Sequence, residues 1–307
     1  NGFSIHAVST SPHRVLTLQK RYGYSYSYIG LYKTYIVLAS AASSIGRDDG
    51  GRMAYVTIRD VSKEYVAGDG RRVFALDKTS LDLADGEFVC VVGHSGCGKT
   101  TLLNILAGFL EPTTGTILID GKSSKDFRDR VGIVFQEYAL FPWQTALENI
   151  EFGLEMHGMS KEERVKHATN FLKLVKLEDF AHVYPHQLSG GMRQRVAVAR
   201  ALAYEPALLL MDEPFGALDA QTRERLQALT EEIWLKTKKT VFYVTHNLGE
   251  AVYLADKIVV MQPHPGRIME IVEVTQARPR DPLSKDFTDV QRHITDLIKG
   301  HATEDVL

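Results

Sequence analysis

The chain has 307 residues, 44% of them hydrophobic and 24% charged, which excludes disorder throughout and fits one large globular domain or two small ones. Its formal charge of −2 provides no global basic field, so neither nucleic acid nor anionic lipid is expected as a partner on charge grounds. The two cysteines, Cys90 and Cys97, match no C-x-x-C or zinc spacing and are too few for a secreted disulfide framework, so a reducing cytoplasm is expected.

Residues 1–52 differ in composition from the rest of the chain. The stretch holds "YGYSYSY", is serine-rich, lacks methionine, and has Asp48 and Asp49 as its only acids. Its most apolar run, "IGLYKTYIVLASAASSIG", is broken by Lys33 and several serines and falls short of the ~18 to 20 apolar residues that cross a bilayer. Met53 directly precedes the first strand-like pattern. Residues 1–52 are therefore expected to be a non-native translated stretch or a truncated leader, poorly packed; a transit peptide, a membrane-surface segment and a partner-binding segment are the other readings.

From Met53 the pattern alternates. "AYVTIRDVSKEY" reads as a strand, and "VFALDKTSLDLADGEFVCVVG" as two more, broken by Asp85-Gly86. Next comes "GHSGCGKTT", with the G-x-x-x-x-G-K-T spacing of a phosphate-binding loop between the strand "FVCVV" and the helix "TTLLNILAGFL". Gly93, Gly96 and Gly98 allow close backbone approach to phosphates; Lys99 would supply charge to the β and γ phosphates, and Thr100 a hydroxyl to Mg²⁺. The whole run of Gly93, His94, Ser95, Gly96, Cys97, Gly98, Lys99, Thr100 and Thr101 is the expected nucleotide-binding segment. Cys97 has two readings: a small inert filler, or a thiol whose pKa is lowered at a helix N-terminus.

"GTILIDGK" reads as a hairpin edge closed by Asp120-Gly121. "VGIVFQ", "ALLLMDEP", "TVFYVTH" and "KIVVMQ" read as buried strands of an α/β sheet. Between Gln136 and Pro206 the pattern is mostly helical, which suggests a helical subdomain over about 137–205 inserted in a sheet domain over 53–276, with a short helical tail over 277–307.

A second anion-binding turn stands at "QLSGGMRQR", where a serine and paired glycines precede a basic helix. One nucleotide has one terminal phosphate, so two such turns need an explanation. Further on, "LLLMDEP" ends in Asp212 and Glu213. Carboxylates at a buried strand tip demand a cation or hydrogen-bond partners. Asp212 as an acid on the Mg²⁺ side and Glu213 as general base for the attacking water meet that demand. Gln136, ending "VGIVF", is suited to touch Mg²⁺ or water, while His246, ending "TVFYVT", is a weak signal alone.

The order of phosphate loop, Gln136, "LSGGM", "LLLMDEP", "GALD" and His246 resembles that of ATP-binding-cassette (ABC) ATPases from Tyr55 to about Met261. The resemblance implies an α/β P-loop NTPase fold with an antiparallel β subdomain and an inserted helical subdomain, binding ATP and Mg²⁺. It further implies that Tyr65 stacks on adenine, Gln136 couples nucleotide to the helical part, Asp219 bridges two sites, and His246 positions the γ-phosphate and water. Catalysis would rest on Glu213, His246, Gln136 and Lys99, with Thr100, Gln136 and Asp212 at the metal. In this family two copies face head to tail, so Ser189, Gly190 and Gly191 of one chain would close on the ATP held by its partner's loop. Met192 departs from the family's commoner glutamine.

"EYALFPWQTALENIEFGLEMHG", "DEPFGALDAQTRERLQ" and "RPRDPLSKDF" are similar to importer ATPases for nitrate, sulfonate or taurine, and bicarbonate. That likeness implies a peripheral subunit on the cytoplasmic face of the inner membrane. It would energise a separate transmembrane permease, with a periplasmic or lipid-anchored solute-binding protein as an indirect partner. Phe141, Pro142 and Trp143 are the expected permease contacts. A soluble ATPase of iron–sulfur cluster assembly is the alternative.

Overall fold

A computed structural model describes residues 56–302 except 67, 69, 124–126, 128, 129 and 264. The expectations for residues 1–52 lie outside these described residues. In chain order the elements are β1 (Val56–Val66), β2 (Arg72–Leu83), β3 (Phe88–Gly93), α1 (Lys99–Leu106), β4 (Thr114–Ile119), β5 (Lys122–Ser123), β6 (Val131–Val134), α2 (Ala146–Met156), α3 (Lys161–Leu174), α4 (Gly190–Ala203), β7 (Leu208–Asp212), α5 (Ala220–Thr237), β8 (Thr240–Val244), α6 (Leu248–Leu254), β9 (Lys257–Gln262), β10 (Arg267–Glu273) and α7 (Lys285–Ala302).

The strands form two sheets. One is antiparallel, ordered β2-β1-β4-β5; the other is ordered β10-β9-β3-β8-β7-β6. In the second sheet β9 through β6 run parallel and β10 is an antiparallel edge. The physical reason lies in the residues. Every position of β3 and β8 is buried, as a strand with helices on both faces requires. Alternate residues feed opposite cores: Phe88, Leu209, Met211, Val241 and Tyr243 pack on the side of α4, whereas Val89, Leu208, Leu210, Phe242 and Val244 pack with α1 and the antiparallel sheet.

Three details of the strands bear on the sequence pattern. The consecutive strands β2 and β3 belong to different sheets, with Gly86 in the left-handed region at the turn between them. The β4–β5 hairpin has φ of 51° at Asp120 and 72° at Gly121, the conformation an Asp-Gly turn is suited to adopt. Strand β10 has no clean alternation, and its charges Arg267, Glu270 and Glu273 suit an edge strand.

Between β6 and β7 the chain is helical. Helices α2 and α3 each begin with a reciprocal capping box, Thr145 with Glu148 and Ser160 with Glu163. No helix among the described residues is long and apolar enough to cross a membrane.

The segment before α7 is fastened by two arginines. Arg280 is buried and donates to the carbonyls of Val252, Tyr253 and Val274, while Arg278 donates to Leu254 O and Asp256 and lies 4.4 Å over the Trp234 ring. Burial, followed by repulsion from Arg278, lowers the Arg280 pKa to about 10, so it stays cationic at neutral pH. Truncation by Arg280→Ala would leave buried carbonyls unpaired and should cost roughly 2–4 kcal/mol. Urea unfolding would check this, with an unchanged midpoint as the contrary result.

Candidate functional site

Because β6, β7, β8 and β3 are neighbours in one parallel sheet, their C-terminal ends lie along a single edge. The residues leaving those ends are Gln136, Asp212 with Glu213, His246, and the loop starting at Gly93. Ligands of open α/β sheets bind along such an edge. The topology thus assembles four of the motifs that the chain keeps far apart.

Within the loop, Gly98 has φ +90°, and a Cβ there would lie 2.5 Å from Leu76 Cδ2 and 2.6 Å from Ala75 O. Only glycine permits both that backbone and that approach. His94 and Ser95 are exposed, whereas Cys97 is fully buried, and burial raises its thiol pKa against the opposing pull of Lys99. The Lys99 ammonium curls under its own loop, donating to Gly93 O at 2.7 Å and His94 O at 3.0 Å. Thr100 and Thr101 occupy the first turn of α1.

Thr100 Oγ1 donates to Asp212 Oδ1 at 3.4 Å. Burial pushes the Asp212 carboxyl up, and the adjacent Glu213 charge adds to it, against Thr100 and Lys99. A hydroxyl beside such a carboxylate is an all-oxygen donor pair, which fits Mg²⁺, an ion that binds few protein ligands and keeps several waters.

Glu213 sits at φ +43°, in the left-handed region, and its N–H donates to Val244 O on β8 at 2.9 Å. This turn brings Glu213 Oε2 to 2.9 Å from His246 Nδ1. A Cβ built on Gly216 would meet Glu213 Oε2 at 3.7 Å and Gln136 Nε2 at 3.8 Å, so those two groups border the same space. Glu213, His246 and Gln136 therefore converge.

Tyr65 is 44% exposed near the end of β1, opposite Val73 on β2, with the Lys63 ammonium 5.4 Å from its ring centroid. Ala75 and Leu76, which touch Gly98, come after Val73 on the same strand. At about 3.3 Å per strand residue, Val73 and the Ala75–Leu76 pair are roughly 7–10 Å apart along β2, so Tyr65 is paired two to three residues from the stretch of β2 that borders Gly98.

The second glycine turn opens α4. Ser189 caps α4 by accepting from Met192 N at 3.3 Å, and a Cβ on Gly191 would lie 2.7 Å from Thr222 Cγ2, so α4 packs closely against the start of α5. Asp219 caps α5 by accepting from Thr222 N at 2.9 Å; that N–H and the Thr222 hydroxyl hold its carboxyl below the usual range. Among the described residues, no hydrogen bond joins Ser189 or Asp219 to the phosphate loop of the same chain. The buried Arg200 of α4 does reach the segment after Gln136, donating to Tyr138 O at 3.1 Å and Ala139 O at 2.6 Å.

Phe141 departs from its expected place. It is only 5% exposed, packed at 4.6 Å between centroids on Phe152 and lying beside Arg200. Phe141 is thus part of the core, and the partly exposed Pro142 and Trp143 form the rim above it.

Sequence reading does not single out Glu250 or Arg223, whose side chains lie behind this site. Asn247-x-x-Glu250 reads as an ordinary capping box, and Arg223 as one charge on a solvated helix. Only the fold exposes their contacts.

Residues 76–216 match the ABC transporter family. An uncharacterized ABC transporter ATP-binding protein of Methanocaldococcus jannaschii is 53% identical over 231 residues, covering 75% of this chain and 86% of that protein. A taurine import ATP-binding protein of Rhizobium johnstonii is 43% identical, covering 79% and 95%, and a nitrate import ATP-binding protein of Synechocystis is 41% identical, covering 82% and 97%. A solved dimeric structure of an ATP-binding cassette in a post-hydrolysis state, bound to ADP and Pi, aligns with TM-score 0.65 and 37% identity over 72% of this chain and all of that one. Phosphate loop, converging carboxylate and histidine, and these likenesses agree: the chain belongs to the ATP-binding-cassette transporter ATPases.

Proposed function

We propose that this ATPase energises uptake of a small anion such as nitrate, a sulfonate like taurine, or bicarbonate, as a peripheral subunit beneath a separate permease on the cytoplasmic face of the inner membrane. A periplasmic or lipid-anchored solute-binding protein would deliver the anion. The observation that carries the reading is the likeness to taurine and nitrate import proteins across 95% and 97% of their lengths. The partly exposed rim of Pro142 and Trp143, backed by the Phe141–Phe152 core, supports a docking place for a permease segment.

In this reading the Gly93–Thr101 loop cradles the phosphates of ATP and Tyr65 stacks on adenine. Lys99 exchanges its loop carbonyls for phosphate oxygens. Glu213 Oε2 takes a proton from the attacking water, and His246, bonded to that oxygen, holds it in position and faces the γ-phosphate. Gln136 orients the water from the other side of the same space. Thr100, Asp212 and Gln136 would hold Mg²⁺, which when bound neutralises charge developing on the phosphoryl oxygens. Ser189, Gly190, Gly191 and Asp219 serve the nucleotide of a second copy, arranged head to tail; that Ser189 and Asp219, among the described residues, make no hydrogen bond to the loop of the same chain supports that arrangement.

Uptake of labelled nitrate, taurine and bicarbonate by cells lacking this chain tests the transport reading, with loss for one anion expected. Trp143→Ala should weaken co-purification with the permease by roughly tenfold or more, as loss of an aromatic anchor does. Normal uptake of all three anions, together with failing iron–sulfur enzymes, would overturn transport in favour of cluster assembly.

A further inference from the structure

We propose that Glu250 is a positioning residue which, through Arg223, ties the loop carrying His246 to the turn carrying Asp219. The Glu250 side chain is 3% exposed and both of its oxygens are engaged. Oε2 accepts from Tyr243 Oη at 2.9 Å and Thr245 Oγ1 at 2.7 Å, while Oε1 lies 3.5 Å from Arg223 Nε. Arg223 in turn donates from Nη2 to Leu218 O at 2.8 Å and from Nε to Phe215 O at 3.4 Å.

Each contact lies next to a residue of the site. Thr245 Oγ1, besides donating to Glu250, accepts the N–H of Asn247 at 3.0 Å, so His246 is pinned on both flanks. Leu218 directly precedes Asp219, and Phe215 lies in the turn just after Glu213. One buried carboxylate therefore grips the segment behind a chain's own catalytic histidine and the segment presenting an acid toward the partner's nucleotide.

Helix capping does not account for this arrangement. Asn247 caps α6 by accepting from Glu250 N at 3.2 Å, yet the Glu250 carboxylate does not return to the Asn247 N–H, which is taken by Thr245. The carboxylate is thereby left for Arg223. A buried carboxylate costs several kcal/mol unless it is paired and hydrogen-bonded. Burial does push the Glu250 carboxyl up, opposed by Thr245, Tyr243 and Arg223. An apolar side chain would fill the site without that cost, so holding both loops is the property the carboxylate adds.

The inference rests on the proposed roles of Glu213, His246 and Asp219. Its test uses the full chain in Glu250→Gln, Arg223→Met, the double variant, and Arg223→Lys. The Gln variant keeps an oxygen for both hydroxyls while losing charge toward Arg223. Each single variant should lower kcat by about 10- to 100-fold, the scale of an ångström-level misplacement, with ATP affinity changed less than about threefold. The double variant should be no worse than the poorer single, because both break one link, and Arg223→Lys should restore part of kcat. Wild-type kcat in Glu250→Gln, multiplying effects in the double variant, or equal loss of kcat and ATP affinity with a lowered melting temperature would each overturn the role. Should Glu250→Gln fail to fold, Arg223→Met decides, since its side chain is partly exposed. Glu213→Gln assayed in parallel reports on the underlying reading alone. Full turnover there overturns the base assignment, whereas full turnover in Glu250→Gln beside an inactive Glu213→Gln overturns only the positioning role.

Discussion

Glu213→Gln is expected to slow ATP hydrolysis by roughly 10²-fold or more, the range set by loss of a positioned general base, while ATP still binds. The substitution is nearly isosteric. Backbone geometry at the site should persist, because the left-handed turn is held by the bond from the 213 N–H to Val244 O, which the side chain does not enter. The amide can still bond His246, but it has no basic oxygen to take a proton from water. Binding without hydrolysis should trap an ATP-bound dimer, visible by size-exclusion chromatography with ATP and absent with ADP. Single-turnover kinetics would separate the chemical step from binding. Near-normal turnover would remove Glu213 from the catalytic role, and loss of ATP affinity in step with rate would make it a binding residue instead.

Legibility in the sequence tracks the range of the physical signal. The phosphate loop is readable because its glycines, lysine and threonine sit at fixed spacing between a buried strand and a helix, all within a dozen or so residues. Buried strands such as Leu208–Asp212 and Thr240–Val244 are readable as short apolar runs bounded by turns. Which sheet a strand joins is not. β2, with its mixed charged and apolar residues, and the wholly apolar β3 both read as strands, and their partners are set by packing against β1 on one side and against β8 and β9 on the other. Phe141 misleads for a related reason: an aromatic beside a proline has the same local signal at a rim as in a core, and only Phe152 and Arg200 reveal the core. Glu250 and Arg223 stay hidden because their partners are contributed by β8 and by the turn before α5, positions no local period connects. Strand β10 carries its charges at an edge, where the alternation that marks a half-buried strand is lost.

Two defective variants are expected to regain activity when mixed. Lys99→Ala removes the ammonium of the phosphate loop, and Ser189→Arg places bulk at the exposed N-terminus of α4. Under the proposed head-to-tail arrangement, each variant alone would form dimers in which both sites are damaged. In a head-to-tail mixed dimer, one site combines both lesions while the other pairs an intact loop with an intact signature turn. If chains exchange at random and one sound site turns over independently, mixing should restore up to roughly a quarter of wild-type ATPase activity, since rate follows intact transition-state contacts. A signature turn serving its own chain's nucleotide would put one lesion in every site of every mixture, and no recovery would occur. Crosslinking must first demonstrate mixed dimers. With those present, silence leaves two explanations: the signature acts in cis, or both sites must fire together. A covalently linked pair with both lesions confined to one site separates them, because activity there shows that one sound site suffices, and silence in the original mixture then counts against the trans arrangement. The lack of any hydrogen bond from Ser189 or Asp219 to the loop of the same chain, among the described residues, favours recovery. So does the packing of Gly191 against Thr222, which brings the α4 start at Ser189 close to the α5 start at Asp219.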